Sequence, residues 1–217
     1  MVVFSILIIL FILSVWILTA VQQLFSAKKE TGGKRWLVCV ASILMAVGAI
    51  GFFGAALSST GGLNWLPSSF EWPVGRANGV VSVNGYFVVP HTPSGRVQIY
   101  DNHWKFIRGW HVDAGGGTFK LKTSDQDHID VITARGQWHY IFDLSGKLLS
   151  KEQYSPASTY SSFRSEGQSY VVPTFPWLWV FSNPFYSWLS GILGIALFIA
   201  KDKISGRKTK TSPPARD

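Results

Sequence analysis

The sequence holds a single cysteine, Cys39, in 217 residues. One thiol closes no disulfide within the chain, so no disulfide framework holds this fold, and the redox compartment stays open. Acid is scarce, with twelve Asp and Glu against twenty Lys and Arg. Charge is missing altogether from Met1–Ala27, Trp36–Leu57 and Pro184–Ala200, and so is histidine. Ion paths and proton relays need ionisable groups at membrane depth, so their lack argues against a self-contained transporter or pump. No Lys or Arg precedes the first apolar run. A secretory signal peptide starts with a basic region and has a shorter apolar core, so this run reads as a retained helix. No serine elbow and no Cys/His pair appears, and no catalytic motif is found.

What is present is apolar sequence in long blocks. Val2–Val21 alone is long enough to cross the hydrocarbon core of a bilayer. Trp36–Leu57 is a second span, rich in Gly, Ala and Ser. Ser42/Ala46 and Gly51/Ala55 share a face, as do Ser187/Gly191 and Ser190/Gly194 in a third segment. Small faces let helices approach closely in lipid, within or between chains. The third segment, 176–200, opens with interfacial aromatics (Trp177, Trp179, Phe181). Asn183-Pro184 then reads as a helix start. A helix from Trp177 kinked at Pro184 is the other reading.

The net charge of +8 is unevenly placed. Lys28–Arg35 carries four Lys/Arg and one acid, and Lys201–Asp217 carries six and two. Ser58–Phe175 carries ten and nine, nearly neutral. Basic excess in short flanks of apolar runs follows the positive-inside rule, not nucleic-acid binding. The expected organisation is therefore transmembrane helix 1 (1–27), a basic cytoplasmic loop (28–35), transmembrane helix 2 (36–57), an extracytoplasmic β-domain (58–175), an interfacial segment with transmembrane helix 3 (176–200), and a basic cytoplasmic tail (201–217). The N-terminus is expected outside and the C-terminus in the cytoplasm of a multi-pass cell-membrane protein.

Within 58–175, Ser58–Trp72 reads as a linker, with Trp65 and Trp72 placed to lie on the membrane surface. Short alternating runs follow, broken by turn residues: Gly79–Val83, Tyr86–Val89, Arg96–Tyr100, Trp104–Trp110, Thr118–Lys122, His128–Thr133, Gln137–Phe142 and Lys147–Leu149. Asn84-Gly85 is a hairpin turn signal, and strands this short at this spacing make an all-β domain. An internal repeat runs at an offset of 42 residues: Tyr86–Val89 falls on His128–Val131, Val97–Asp101 on His139–Asp143, and Lys105–Ile107 on Lys147–Leu149. A third copy starts at Tyr170-Val171-Val172. The period matches a four-stranded propeller blade.

Gly95–Asp101 followed by Lys105-Phe106-Ile107, and Ile141–Asp143 followed by Leu144-Ser145-Gly146-Lys147, resemble the inner part of an NHL-type β-propeller blade. The resemblance covers about Gly79–Leu149. It implies a domain of two propeller-blade-like repeats and a binding role toward proteins, RNA or small molecules, in some members a catalytic one, and it carries over no site residue. Propellers close with about four to eight blades, so the strands are expected to close on each other, to assemble with other copies, or to be covered by a partner.

All five histidines, His91, His103, His111, His128 and His139, lie in the β-domain. His111/Asp113 and His128/Asp130 are two apart and share a face if extended. Asp125, Asp127 and Asp130 form an acidic loop without the Gly and distal Glu of an EF-hand. Gly115-Gly116-Gly117 lacks the context of a phosphate loop. No converging metal set is visible, so no catalytic, cofactor or metal residue and no cofactor is assigned. The expected partners are the lipid bilayer and a protein partner or a second copy, without nucleic acid. The chain reads as a non-enzymatic membrane-anchored binding or scaffold subunit. The alternative is a ligand sensor or enzyme using the His/Asp positions.

Overall fold

The computed structural model describes residues 2–124, 127–156, 158–165 and 167–206. Asp125 of the acidic loop and the basic tail from residue 207 lie outside them. Among the described residues three helices are long and apolar enough to span a membrane: α1 (Val2–Ala27), α2 (Gly32–Ser59) and α4 (Pro184–Gly206). At about 1.5 Å per residue each exceeds the ~30 Å hydrocarbon core. α2 starts inside the expected basic loop, so Lys34 sits in its first turns and pairs with Glu30 at 3.4 Å. α4 runs past Ala200 to take in Lys201 and Lys203. The aromatic segment before it is a separate 3-10 turn, Pro176–Phe181, so the kinked-helix reading fails.

The small faces meet inside the chain. A Cβ on Gly48 would stand 2.5 Å from Gly191 Cα, and one on Gly194 would stand 2.6 Å from the Ala41 carbonyl oxygen. Ser190 Oγ donates to Leu44 O at 3.2 Å. Ascending residues of α4 meet descending residues of α2, so the two helices are antiparallel. The close-packed seam therefore belongs to the α2–α4 pair. α1 lies on the outside, with Trp16 edge-on to Phe53 at 5.9 Å. Phe4, Leu7, Phe11 and Leu18 of α1 point outward, as apolar side chains do in lipid.

Beyond α2 the described residues form two antiparallel sheets. Sheet one has the order β4-β3-β2-β1-β9 and sheet two β5-β6-β7-β8. The strands are β1 (Arg76–Val83), β2 (Tyr86–His91), β3 (Arg96–Tyr100), β4 (Phe106–His111), β5 (Phe119–Ser124), β6 (His128–Thr133), β7 (Trp138–Asp143), β8 (Leu148–Gln153) and β9 (Gln168–Val171). A short helix, α3 (Ser158–Ser162), precedes β9. The β1–β2 turn has positive φ at both Asn84 and Gly85, the type I′ conformation that matches strand twist. β2 runs through Pro90 rather than ending before it. β1 pairs only with Tyr86, Phe87 and Val88 of β2, so the missing N–H of Pro90 interrupts no ladder on that side. The third sequence copy does not open a third sheet: β9 adds to sheet one beside β1.

The 42-residue offset carries β2, β3 and β4 onto β6, β7 and β8 from end to end of β2 and β4. It also carries the register shift at Ile99/Tyr100 onto that at Ile141/Phe142. Asp101 Oδ1 accepts from the His103 and Lys105 amides, and Asp143 Oδ1 from those of Ser145 and Lys147. The shared core joins Val88, Val97 and Ile99 of sheet one to Ile129, Val131, Tyr140 and Phe142 of sheet two. These are not equivalent faces. Val97 corresponds to His139, which is not in that core, whereas Phe142 corresponds to Tyr100, which packs in a separate cluster with Val89, Val74 and Val172. The sheets thus stack front to back.

Candidate functional site

The sequence-noted His/Asp pairs do not converge. His128 lies opposite Asp143, while Asp130 pairs with His139 at 3.4 Å. His111, at the end of β4, packs against Gly95, and neither of its ring nitrogens has a hydrogen-bond partner. Burial pushes its pKa down, Asp113 opposes the shift and Arg96 adds to it. Asn84 Nδ2 donates to Asp127 Oδ1, joining two turns. Among the described residues no three His, Cys, Asp or Glu side chains are placed to hold a metal ion. The glycine loop fastens the domain to a helix, with Gly116 N donating to Ser59 O at 3.0 Å.

The sequence reading missed a polar spine on β3. Val97 and Ile99 face the shared core, while Arg96, Gln98 and Tyr100 point the other way and are still buried. The supposed linker covers them. Gln98 Oε1 accepts from Trp72 N at 2.6 Å and Gln98 Nε2 donates to Trp72 O at 2.9 Å. Arg96 donates to Phe70 O at 3.2 Å and lies over the Phe70 ring. Tyr100 donates to Glu71 Oε1 at 3.1 Å. Burial pushes the Tyr100 hydroxyl up, with the Glu71 charge adding to it, and burial pulls the Arg96 guanidinium down. Trp72 is buried and donates to Phe181 O at 3.2 Å, so it is not spread on the membrane surface, whereas Trp65 is exposed. The one legible signal was a central strand alternating Val/Ile with Arg/Gln/Tyr: such a face must meet partners when buried.

A second spine joins domain to helices. His91 is buried; its Nε2 lies 2.9 Å from Ser182 O and its Nδ1 2.7 Å from Ser94 Oγ. A carbonyl only accepts, so Nε2 carries the proton and Nδ1 accepts from Ser94. Burial pushes this histidine down to about 4, against the opposing bond to Ser182. Ser58 Oγ, on the last turn of α2, donates to Ser94 O at 2.6 Å.

The outer side of sheet one carries an aromatic cluster. Phe87 and Trp104 stack at 4.3 Å and 6°, with Tyr170 5.4 Å from Trp104. Beside them opens a cavity of about 500 Å³ lined by Glu71, Trp104, Lys105, Phe106, Phe175 and Leu178. Phe175 is 70% exposed. Trp104 has φ +60°, a left-handed conformation, which costs an L-residue about 1–2 kcal/mol. The repeat-equivalent residue is Gly146, at φ +83°. A glycine would meet the backbone need at Trp104 without strain. The outer side of sheet two differs, with Asp130 and His139 where sheet one buries Val88 and Val97.

Compared with known proteins, the chain matches no family model, no curated protein and no solved structure.

Proposed function

We propose that this chain is a non-enzymatic, membrane-anchored binding or scaffold subunit whose β-domain lies outside the cytoplasm and contacts a protein partner of the envelope. The observation that carries the reading is Trp104. A large aromatic is held in a strained backbone position that glycine fills in the companion repeat, and it stacks on Phe87 beside an open, apolar-walled cavity. Strain of this kind is retained where the side chain is used, and rigid aromatics are the anchors of protein interfaces.

The two sheets are propeller-blade-like repeats in this reading. Their matched turns and front-to-back stacking support it, as does the 42-residue offset. The stack ends after two because 67–75 covers one outer side and charge marks the other, as polar caps end repeat arrays. The orientation rests on charge. Antiparallel packing puts Lys28–Arg35 and Lys201 at the end of the bundle remote from the domain, where the positive-inside rule places the cytoplasm.

Photo-crosslinking in native membranes tests the interface. A crosslinker at Phe175 or His103, beside the aromatic cluster, is expected to capture one discrete protein, and Trp104→Ala to reduce capture at least several-fold. A crosslinker at Ser150, in sheet two, is the control. Equal capture at all three positions, or capture indifferent to Trp104, sinks the assignment.

A further inference from the structure

A polar cleft opens between the two sheets where the domain meets the helices. One chamber, of about 420 Å³, is lined by Arg76, Asn78, Thr92, Thr118, Lys120 and Asn183, among others. A second, of about 560 Å³, shares Thr92, Pro93 and Thr118 with it and adds Ser59, Arg135 and Pro184. Among the described residues that line them are three cations and no carboxylate. Lys120 is fixed rather than free: it donates to Tyr160 O at 2.7 Å and Phe163 O at 2.9 Å and lies over the Tyr160 ring, which leaves one N–H. Arg76 and Arg135 are exposed at the walls, and Arg135 reaches Gly115 O at 3.4 Å. Ser165 Oγ, buried in the wall, has no hydrogen-bond partner among the described residues.

The cleft's depth in the bilayer is set by the helices. Ser59 ends α2 and Pro184 begins α4, so both chambers open at the domain end of the helix pair. Trp177, Trp188 and Phe185 are exposed just beside that point in sequence, as aromatics at headgroup level are. A concave site rich in N–H and O–H donors, with three cations and no acid, selects an anion. At this height the anion at hand is a lipid phosphate.

We propose that this cleft is a binding site for the phosphate-bearing headgroup of an anionic phospholipid, with Arg76 and Arg135 as its charged walls and Lys120, Thr92, Thr118 and Asn183 as further donors. Anionic lipid is drawn to each basic side chain near the surface, and two such residues amount to a preference of about tenfold or more. The site is separate from the aromatic face, so it stands or falls independently of the partner reading.

The test uses the full chain in nanodiscs of mixed phosphatidylglycerol and phosphatidylcholine. Lipid carried through detergent extraction is counted by native mass spectrometry. Retention of phosphatidylglycerol over phosphatidylcholine by about tenfold is expected. The preference should fall several-fold in Arg76→Gln/Arg135→Gln, the remainder belonging to the basic flanks 28–35 and 201–217. It should survive in Lys147→Gln/Lys151→Gln, which loses the same charge on and just before β8, at the far edge of sheet two. Melting temperatures of the three proteins, measured in phosphatidylcholine alone, establish that each is folded. A preference untouched by the cleft variant, or no preference at all, overturns the proposal. Addition of millimolar inorganic phosphate separates the sources: complete displacement of the lipid by phosphate alone overturns a lipid site in favour of a soluble-anion site.

Discussion

Trp104 and Gly146 occupy the same turn position in two copies of one repeat. The comparison isolates what the ring contributes from what the backbone requires. Trp104→Ala removes the stack on Phe87 and keeps the left-handed strain; Trp104→Gly removes both. The glycine variant should therefore be the more stable of the two, by about 1 kcal/mol, read from chemical denaturation in detergent. An alanine variant as stable as the glycine one would show that the backbone is not strained. His91 supplies a second residue-scale expectation. Its folded pKa, pushed down to about 4 by burial, lies below the ordinary value of about 6.5. The unfolded chain binds the extra proton between these values, so the stabilisation is complete above pH 6.5 and is lost as pH falls toward 4, by roughly 3 kcal/mol in all. His111 shifts in the same direction, so the comparison is with His91→Gln. The wild-type melting temperature should drop more steeply than the variant's from pH 7 to 4.5, and parallel profiles would refute the assignment.

Among the helices, α2 and α4 leave little room at their seam. A Cβ at Gly48 meets the Gly191 backbone at 2.5 Å, which no rotamer relieves, whereas one at Gly54 meets only the Trp72 ring at 3.7 Å. Gly48→Ala should lower the melting temperature in detergent by several degrees, as overpacking against backbone costs about 1–3 kcal/mol. Gly54→Ala should be neutral or mildly stabilising, because alanine favours helix. Similar effects at both sites would show that the helices separate readily. The spans, their small faces and most strands were legible from apolar length and period-two alternation, signals local to each segment. The use of the small faces was not: Gly48 and Gly191 are far apart in sequence, and nothing local names a glycine's partner. The clamp of Gln98 on Trp72 was hidden for the same reason, since a Ser/Gly-rich stretch reads as linker until its backbone is seen to be paired. β9 was recognised as a repeat fragment but not as the neighbour of β1, because strand order is a property of the whole sheet.

Over the whole molecule, charge and architecture point the same way. A reporter fused after Arg216 should face the cytoplasm and one inserted beside Gly115 should face outside; labelling of Gly115 from the cytoplasm would reverse the arrangement. The front-to-back stack also bears on oligomerisation. A ring of copies would set the outer side of one chain's sheet two on the outer side of another's sheet one. The first carries the Asp130–His139 pair and the second is covered by Phe70–Val74. Such a ring would have to bury the Asp130–His139 pair and displace Phe70–Val74.

The tie from Ser94 ends at Ser58 on α2 and the tie from His91 ends at Ser182, two residues before α4, and both start from one short turn, Thr92–Ser94 and its preceding residue. A tethered module samples a hemisphere above its anchor; a module pinned at two points has one elevation and one compass bearing. The chain is built like a bracket. Its aromatic face is held at a height above the helix pair that the two ties fix, not the length of a linker.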